Sequence, residues 1–360
     1  MPKLSAKNGA WDLPHVHEWK DRQRDLRVTP TPLVDEGTRV FMMGTCVAVW
    51  IAAALRRAGY KSVSTHPDGH LMNTRSMRQV VDAAFGGWPQ RELEPIWKTA
   101  KGFVDPFAKS HTEVLPSEAE IASRRANRDA KAKKLIEEAE VFVIVPEYAD
   151  TWFSRATGNA VIGIPLPDVF DPAKHELRRL TVEEMKIDLR AIIARLRALP
   201  NGGPKIILAT GGFTEHASLL NDEDVRVASY ASMARTRAAL SELCDEDPTL
   251  HYFALADTIR TAERPIEFVE EDGRHYHKLA IDYFAHEFVR QFGKPGAARP
   301  PADPSWLSGP GDVAASRPVI VTAPPPSASQ RIRGELQRSI RRSIPTRYLR
   351  GPFKRLIDLV

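Results

Sequence analysis

The chain has 360 residues, 42% of them apolar and 27% charged, enough to bury a sizeable core, so wholesale disorder is excluded. Its two cysteines, Cys46 and Cys244, are too few and too far apart for a disulfide framework or a clustered zinc site, and a reducing compartment is the natural setting. The net charge of +5 sits in the tail: residues 331–360 carry nine Lys or Arg against Glu335 and Asp358, which leaves 42 basic and 44 acidic residues ahead of them and no basic excess to attract nucleic acid.

Residues 1–37 read as an N-terminal extension that wraps the surface of the domain behind it. They lack the apolar core of a secretory signal, and the longest apolar run, residues 40–55, stops at Arg56 and Arg57, short of a membrane span. A cytoplasmic location follows as the expectation. From residue 38 to 295, short β-branched runs alternate with longer helical stretches, the pattern of a parallel sheet with crossover helices. The strand candidates are residues 39–45 (RVFMMGT), 61–65 (KSVST), 140–146 (EVFVIVP), 205–210 (KIILAT) and 250–256 (LHYFALA). Their nearly continuous apolar character fits strands buried on both faces. Thr181 and Glu184 have capping-box spacing, and Met185, Leu189, Ile192, Ile193 and Leu196 mark one helical face that ends near Pro200. Residues 222–243 and 277–292 have similar periodicity, whereas 117–139 is charged enough to predict a surface helix. The expected fold is a doubly wound, flavodoxin-like α/β domain with a parallel sheet of about five strands and helices on both faces.

Past Gly293 the composition changes. Residues 296–329 are rich in Pro, Gly, Ala and Ser, cannot supply a packed core, and read as a disordered linker. Residues 330–360 follow as a basic amphipathic tail: Ile332, Leu336 and Ile340 recur at helical spacing, Pro345 interrupts, and Leu349, Phe353, Leu356, Ile357 and Val360 continue the stripe. Three readings stay open for it: adsorption to anionic lipid at the inner membrane surface, docking on a partner, or a solvated tail.

Two places carry chemistry. The strand RVFMMGT runs directly through Gly44 and Thr45 into Cys46 and the helix behind it, so a small side chain is presented where a central strand ends. The helix N-terminus there offers unpaired N–H groups and a positive dipole end, which favour a thiolate and an oxyanion. A free cysteine also packs as a small hydrophobe, and Cys46 alone does not decide between the two. The second place is Asp272-Gly273-Arg274-His275, just before the last helix of the body. A carboxylate three residues ahead of a histidine can orient the imidazole as a base, although Asp-Gly is also a common surface turn.

Together the two elements resemble the opening and closing motifs of the SGNH (GDSL-like) hydrolases, and the fuller resemblance is to the GSCFA family within that group. Gly44-Thr45-Cys46-Val47-Ala48 stands where that family has Gly-Ser-Cys-Phe-Ala. The run from His66 to Asn73, followed by Ser76, resembles its second block at Pro67, Gly69, Leu71 and Asn73. Asp224-Val225-Arg226-Val227-Ala228, with Ser232 and Arg237, is similar to its Asp-Val-x-Val-Ala block, and Tyr252-Phe253 to the Tyr-Phe that follows. Asp272 and His275, with Ala280-Ile281-Asp282-Tyr283 behind them, complete the order over residues 38–292.

The resemblance implies an SGNH-type fold and an acyl esterase or acyltransferase acting on an acyl group of a carbohydrate or polysaccharide. Cys46 would be the nucleophile, His275 the base and Asp272 its orienting carboxylate. Gly44, Thr45, Gly69, Asn73, Asp150 and Trp152 would surround the oxyanion and substrate, with the N–H groups of Cys46 and Gly69 and the Asn73 side chain as donors. The partner would be an acylated carbohydrate or acyl donor, with no cofactor and no metal. Some positions depart from the pattern. The strand-end block Gly-Leu-Thr-Glu-x-Trp appears as Glu147-Tyr148-Ala149-Asp150-Thr151-Trp152, and Ala149 has no side-chain donor. Thr45 keeps a hydroxyl, while Ser229 and Met233 replace the expected asparagine and lysine. These departures support an alternative, a catalytically inactive carbohydrate-binding or scaffold protein in which Glu147 fills the space between Cys46 and His275.

The remaining candidates read as structural. His66 and His70 have the spacing of helical metal ligands, but Pro67 and Gly69 argue against a helix there. His277 is expected to be solvated or to cap the following helix. Cys244, beside Glu242, Asp245 and Glu246, lies in an electronegative setting that disfavours its thiolate.

Overall fold

Apolar runs flanked by turn residues become the strands of a central parallel sheet, and the amphipathic segments between them become its covering helices. The computed structural model describes residues 28–108, 113–166, 168–212, 220, 223–261, 268–270 and 275–301. The N-terminal stretch, most of the linker and the whole basic tail therefore lie outside the described residues. In chain order the elements are β1 (Val40–Gly44), α1 (Cys46–Arg57), β2 (Val63–His70), α2 (Thr74–Ala84), β3 (Trp97–Thr99), β4 (Gly102–Val104), α3 (Glu118–Glu138) and β5 (Val141–Val145). Then come β6 (Asp150–Ser154), β7 (His175–Arg179), α4 (Val182–Arg197), β8 (Lys205–Ala209), α5 (Val225–Glu246), β9 (Leu250–Phe253), α6 (Leu255–Thr261) and α7 (Lys278–Phe292).

The central sheet has five strands, all parallel, in the order β2-β1-β5-β8-β9. The chain reverses its winding between β1 and β5, and in such sheets the crevice for a ligand opens at that point, beyond the carboxyl ends of the strands. Phe41, Met43, Phe142, Ile144, Ile206 and Leu208 cover one sheet face and pack under α2, α4 and α5. The Phe41 and Phe142 rings meet across β1 and β5 at 4.9 Å. Each such fully buried side chain contributes about 1.5–3 kcal/mol. Helices α1 and α7 pack against each other, and α7 lays Phe288 and Phe292 on Phe253 of β9.

The capping box that starts α4 is complete: the Glu184 N–H donates to Thr181 Oγ1 at 3.1 Å and the Thr181 N–H to the Glu184 carboxylate at 2.9 Å. His277 caps α7, its Nδ1 accepting the Ala280 N–H at 3.1 Å. The segments on either side of the domain hold each other, since the Val34 N–H donates to Phe292 O at 2.9 Å and the Lys294 N–H to Val34 O at 2.8 Å. No helix among the described residues is long and apolar enough to cross a membrane.

The structure differs from the sequence pattern in three places. Strand β2 runs on through Pro67 and Gly69 to His70, because its last residue pairs with Gly44 of β1. Strand β9 stops at Phe253, and the apolar residues behind it open helix α6. Two antiparallel hairpins, β3 with β4 and β6 with β7, flank the central sheet.

Candidate active site

Gly44 ends β1 at the switch point, paired with Val145 on one side and with His70 on the other. It must be glycine: a Cβ there would lie 2.5 Å from the Val145 carbonyl oxygen and 2.7 Å from Val145 Cβ, both parts of a buried central strand. Thr45 is the N-cap residue of α1, and Cys46 is the helix's first residue, half-buried. The Cys46 N–H has no acceptor inside the helix, and no acidic residue in the first turn offsets the positive dipole end. Helices α2 and α7 likewise begin at the carboxyl edge with no acid in the first turn. The edge is therefore suited to developing negative charge.

His275 lies two residues ahead of the α7 cap. Its carbonyl accepts the Glu270 N–H at 2.6 Å, and Val269 and Tyr276 form an antiparallel bridge, so the chain doubles back here. Its ring packs against Trp50 with 5.9 Å between centroids. Trp50 stands one helical turn beyond Cys46, so the fold brings the imidazole to the helix face that carries the cysteine. Asp272 lies outside the described residues. Tyr276 donates its hydroxyl to Gly211 O at 2.9 Å, which anchors the histidine segment to the end of β8.

Glu147 follows β5 and is almost fully buried. A Cβ on Gly211 would come within 3.0 Å of its Oε1, so its carboxylate packs against Gly211, just past the end of β8. The Thr210 hydroxyl beside it, like that of Thr45, is buried without a hydrogen-bond partner among the described residues.

The other predicted residues divide between two places. Gly69 and Asn73 lie beside Gly44 on the β2 side. Gly69 takes φ +74°, and Asn73 caps α2 by accepting the Ser76 N–H on Oδ1 at 2.8 Å, while its amide nitrogen makes no hydrogen bond among the described residues. Asp150 and Trp152 belong to the β6–β7 hairpin. Arg179 grips Asp150 with two bonds, at 2.5 and 3.1 Å, and Trp152 is half-buried against Phe170 at 5.6 Å. Sequence reasoning did not single out Trp50 or Tyr276. The i, i+4 spacing of Cys46 and Trp50 was the available signal for the first, and nothing in the sequence marked the second.

Two side chains near the edge titrate far from their ordinary ranges. His66 is fully buried, which with the nearby Arg128 charge depresses its pKa to about 3 and keeps the ring neutral. Its Nδ1 accepts the Asp68 N–H at 3.2 Å, so it serves as a backbone acceptor, and no metal-binding cluster occurs among the described residues. Asp68 is pushed up to about 6 by burial, against the opposing pull of Arg128. Far from this edge, burial and then Asp245 raise Cys244 to about 11, which leaves it an unreactive thiol.

Comparison with known proteins gives one finding: the sequence model of the GSCFA family matches residues 39–288. No curated protein matches the chain.

Proposed function

The chain belongs to the GSCFA family, and from that premise we propose that it is an acyl esterase or acyltransferase acting on a carbohydrate or polysaccharide acyl group, with an SGNH-like Cys-His-Asp site. The observation that carries this reading is Cys46 at the start of α1, at the switch point of the sheet, with the His275 ring one turn away against Trp50. Cys46 Sγ attacks the acyl carbonyl as His275 takes the thiol proton. The tetrahedral oxyanion meets the N–H groups of Cys46 and Gly69 and the Asn73 amide. The carbon–oxygen bond to the sugar breaks, the leaving hydroxyl receives the proton from His275, and a thioester remains on Cys46. Water, or an acceptor hydroxyl, then loses a proton to His275, attacks the thioester and frees the thiol. Asp272 holds the imidazole throughout.

The direct test compares wild type with Cys46→Ala on model acyl esters and acetylated glycans, where a loss of a thousandfold or more is expected on the order of other nucleophile deletions. Equal rates would remove Cys46 as nucleophile. Thiol labelling gives a second readout: Cys46 should react with an electrophile near neutral pH and lose that reactivity in His275→Ala.

Ala149, buried and without a donor, favours a second reading, a binding or scaffold protein that has kept the fold and lost the chemistry. The basic tail is assigned to anionic lipid at the inner face of a membrane, where each basic residue contributes about 1 kcal/mol near the surface. Removal of residues 304–360 should abolish vesicle co-sedimentation and leave hydrolysis of small soluble esters unchanged.

A further inference from the structure

One face of α1 leads from the candidate nucleophile to the far end of the helix. Cys46, Val49, Trp50, Ala53 and Arg57 recur at intervals of three and four residues and form a single stripe, partly open except at Arg57, which is exposed. The last helix and the segment leading into it meet this stripe twice. Arg57 donates to Asp282 of α7 at 2.6 Å, and the Trp50 ring lies 5.9 Å from the ring of His275. Trp50 precedes Arg57 by seven residues, and His275 precedes Asp282 by seven, so the two segments run side by side in one direction. Cys46 stands one turn further along the same stripe. The rings of Trp50 and His275 are tilted by 56°, so one turns an edge toward the other and parallel stacking is excluded.

A thiolate and an imidazolium side by side make opposite demands on their surroundings. The positive end of α1 favours the thiolate and disfavours a cation beside it. A carboxylate on the stripe would favour the cation and repel the thiolate. Helix α1 carries no acid, and its charged side chains are Arg56 and Arg57 in the last turn. On α7, Lys278 and Arg57 share Asp282, and His277 serves as the cap. Glu270, across the turn from His275, is exposed, the Glu147 carboxylate packs against Gly211, and Asp272 lies outside the described residues. What α1 sets against the imidazole is an indole. The face of an aromatic ring attracts a cation within about 6 Å of its centre, and the ring has no net charge with which to repel a thiolate.

We propose that Trp50 is the positioning residue of the Cys46–His275 pair: its indole holds the imidazole over the stripe and stabilises the imidazolium formed when the ring takes the Cys46 proton. The step moves one proton from Sγ to a ring nitrogen and leaves a thiolate beside a cation. Trp50 acts through His275 and takes no part in the bond changes. The inference rests on the reading above for the pairing itself, and adds what sets its ionisation.

The experiment follows alkylation of Cys46 by iodoacetamide in the full-length protein from about pH 5 to about pH 10, a range that brackets the ordinary thiol. Mass spectrometry separates the Cys46 peptide from that of Cys244. The wild-type rate is expected to rise well below the ordinary thiol range near about 8.5, and His275→Ala to return it there. Trp50→Leu should move the curve upward by about half to one pH unit, a roughly threefold to tenfold loss of rate near neutral pH. Trp50→Phe, which keeps an aromatic face, should lose no more than about twofold. Thermal melting checks that each variant is folded, and Trp50→Met replaces Trp50→Leu if the latter unfolds the chain. A Trp50→Leu curve that overlays the wild type, or a Trp50→Phe curve displaced as far as that of Trp50→Leu, overturns the proposal. If His275→Ala leaves the curve unmoved, the pairing and this inference fall together. If His275→Ala moves it and Trp50→Leu does not, the pairing stands and the role of Trp50 alone is withdrawn.

Discussion

The β1–α1 and β2–α2 junctions lie side by side at the carboxyl edge of the sheet. The first passes from strand to helix through the single residue Thr45, held by backbone contact between Gly44 and Val145, and contains no charged group. The second throws four residues out of the ladder before returning, and sets a neutral His66, an under-bonded Asp68 and Arg128 in the space it makes. One junction is shaped by steric closeness and presents a nucleophile. The other is shaped by buried polar groups. In its contribution to stability the first should be intolerant of added atoms and little affected by pH, and the second the reverse.

The largest effect is expected from Gly44→Val. The new Cβ would meet Val145 O at 2.5 Å and Val145 Cβ at 2.7 Å, and neither atom can retreat without opening the central sheet. Against a total stability of about 5–15 kcal/mol, such overpacking of main chain should leave the protein unfolded. Circular dichroism and urea titration of the purified variant check this, and a cooperative transition within about 1 kcal/mol of wild type would break the steric account.

The second junction should carry the pH dependence. The folded pKa of His66, about 3, lies below the ordinary 6.5, so its contribution to stability is complete above pH 6.5 and is lost as the pH falls toward 3. The full loss is on the order of 5 kcal/mol. Asp68 works in the other direction. Its folded value, about 6, lies above the ordinary 3.8, so its contribution is present below pH 3.8 and lost as the pH rises through 6. That term is on the order of 3 kcal/mol at most. Wild type should therefore weaken on acidification, with Asp68 blunting the slope. In His66→Asn, which keeps an acceptor for the Asp68 N–H, stability should hold or rise between pH 6 and pH 4, while Asp68→Asn should steepen the wild-type decline. Urea unfolding at pH 7, 5.5 and 4.5 measures both, and an unchanged slope in His66→Asn would assign the acid sensitivity elsewhere.

The same contrast explains what was legible in the amino-acid sequence. The inner strands β1, β5 and β8 read clearly because strands covered on both faces are continuous apolar runs, and the place of Cys46 at the start of α1 read clearly because strand, glycine and helix follow one another without a gap. The second junction did not. Pro67 and Gly69 signal a break in local terms, and only the pairing of His70 with Gly44, a tertiary contact, carries the strand past them. The hairpin strands WKT, GFV and HELRR are too short and too polar to show a period. The apolar residues after Phe253 suit a strand or a helix equally, and their length did not decide it. At the site, the role of Trp50 depends on a histidine more than two hundred residues away, which spacing alone cannot reveal.

The smallest effects should come from the two helix caps, and they should have opposite signs. Asn73 starts α2 with a side-chain bond to the Ser76 N–H, so Asn73→Ala should cost about 1 kcal/mol, between 0.5 and 2, as an N-cap deletion does. Thr45 starts α1 without any side-chain cap bond, and its hydroxyl is buried with no partner among the described residues. Thr45→Val keeps the shape and removes that hydroxyl, which relieves a desolvation cost of about 1 kcal/mol, so this variant should be as stable as wild type or slightly more so. A hydroxyl that lowers stability where it stands is a candidate for use in turnover, and Thr45→Val should accordingly be slower on acyl esters than its stability would indicate. Paired urea titrations of Asn73→Ala and Thr45→Val give the comparison directly. A loss in Thr45→Val as large as that in Asn73→Ala would mean that the hydroxyl is bonded in solution, and the first junction would then depend on a polar side chain just as the second does.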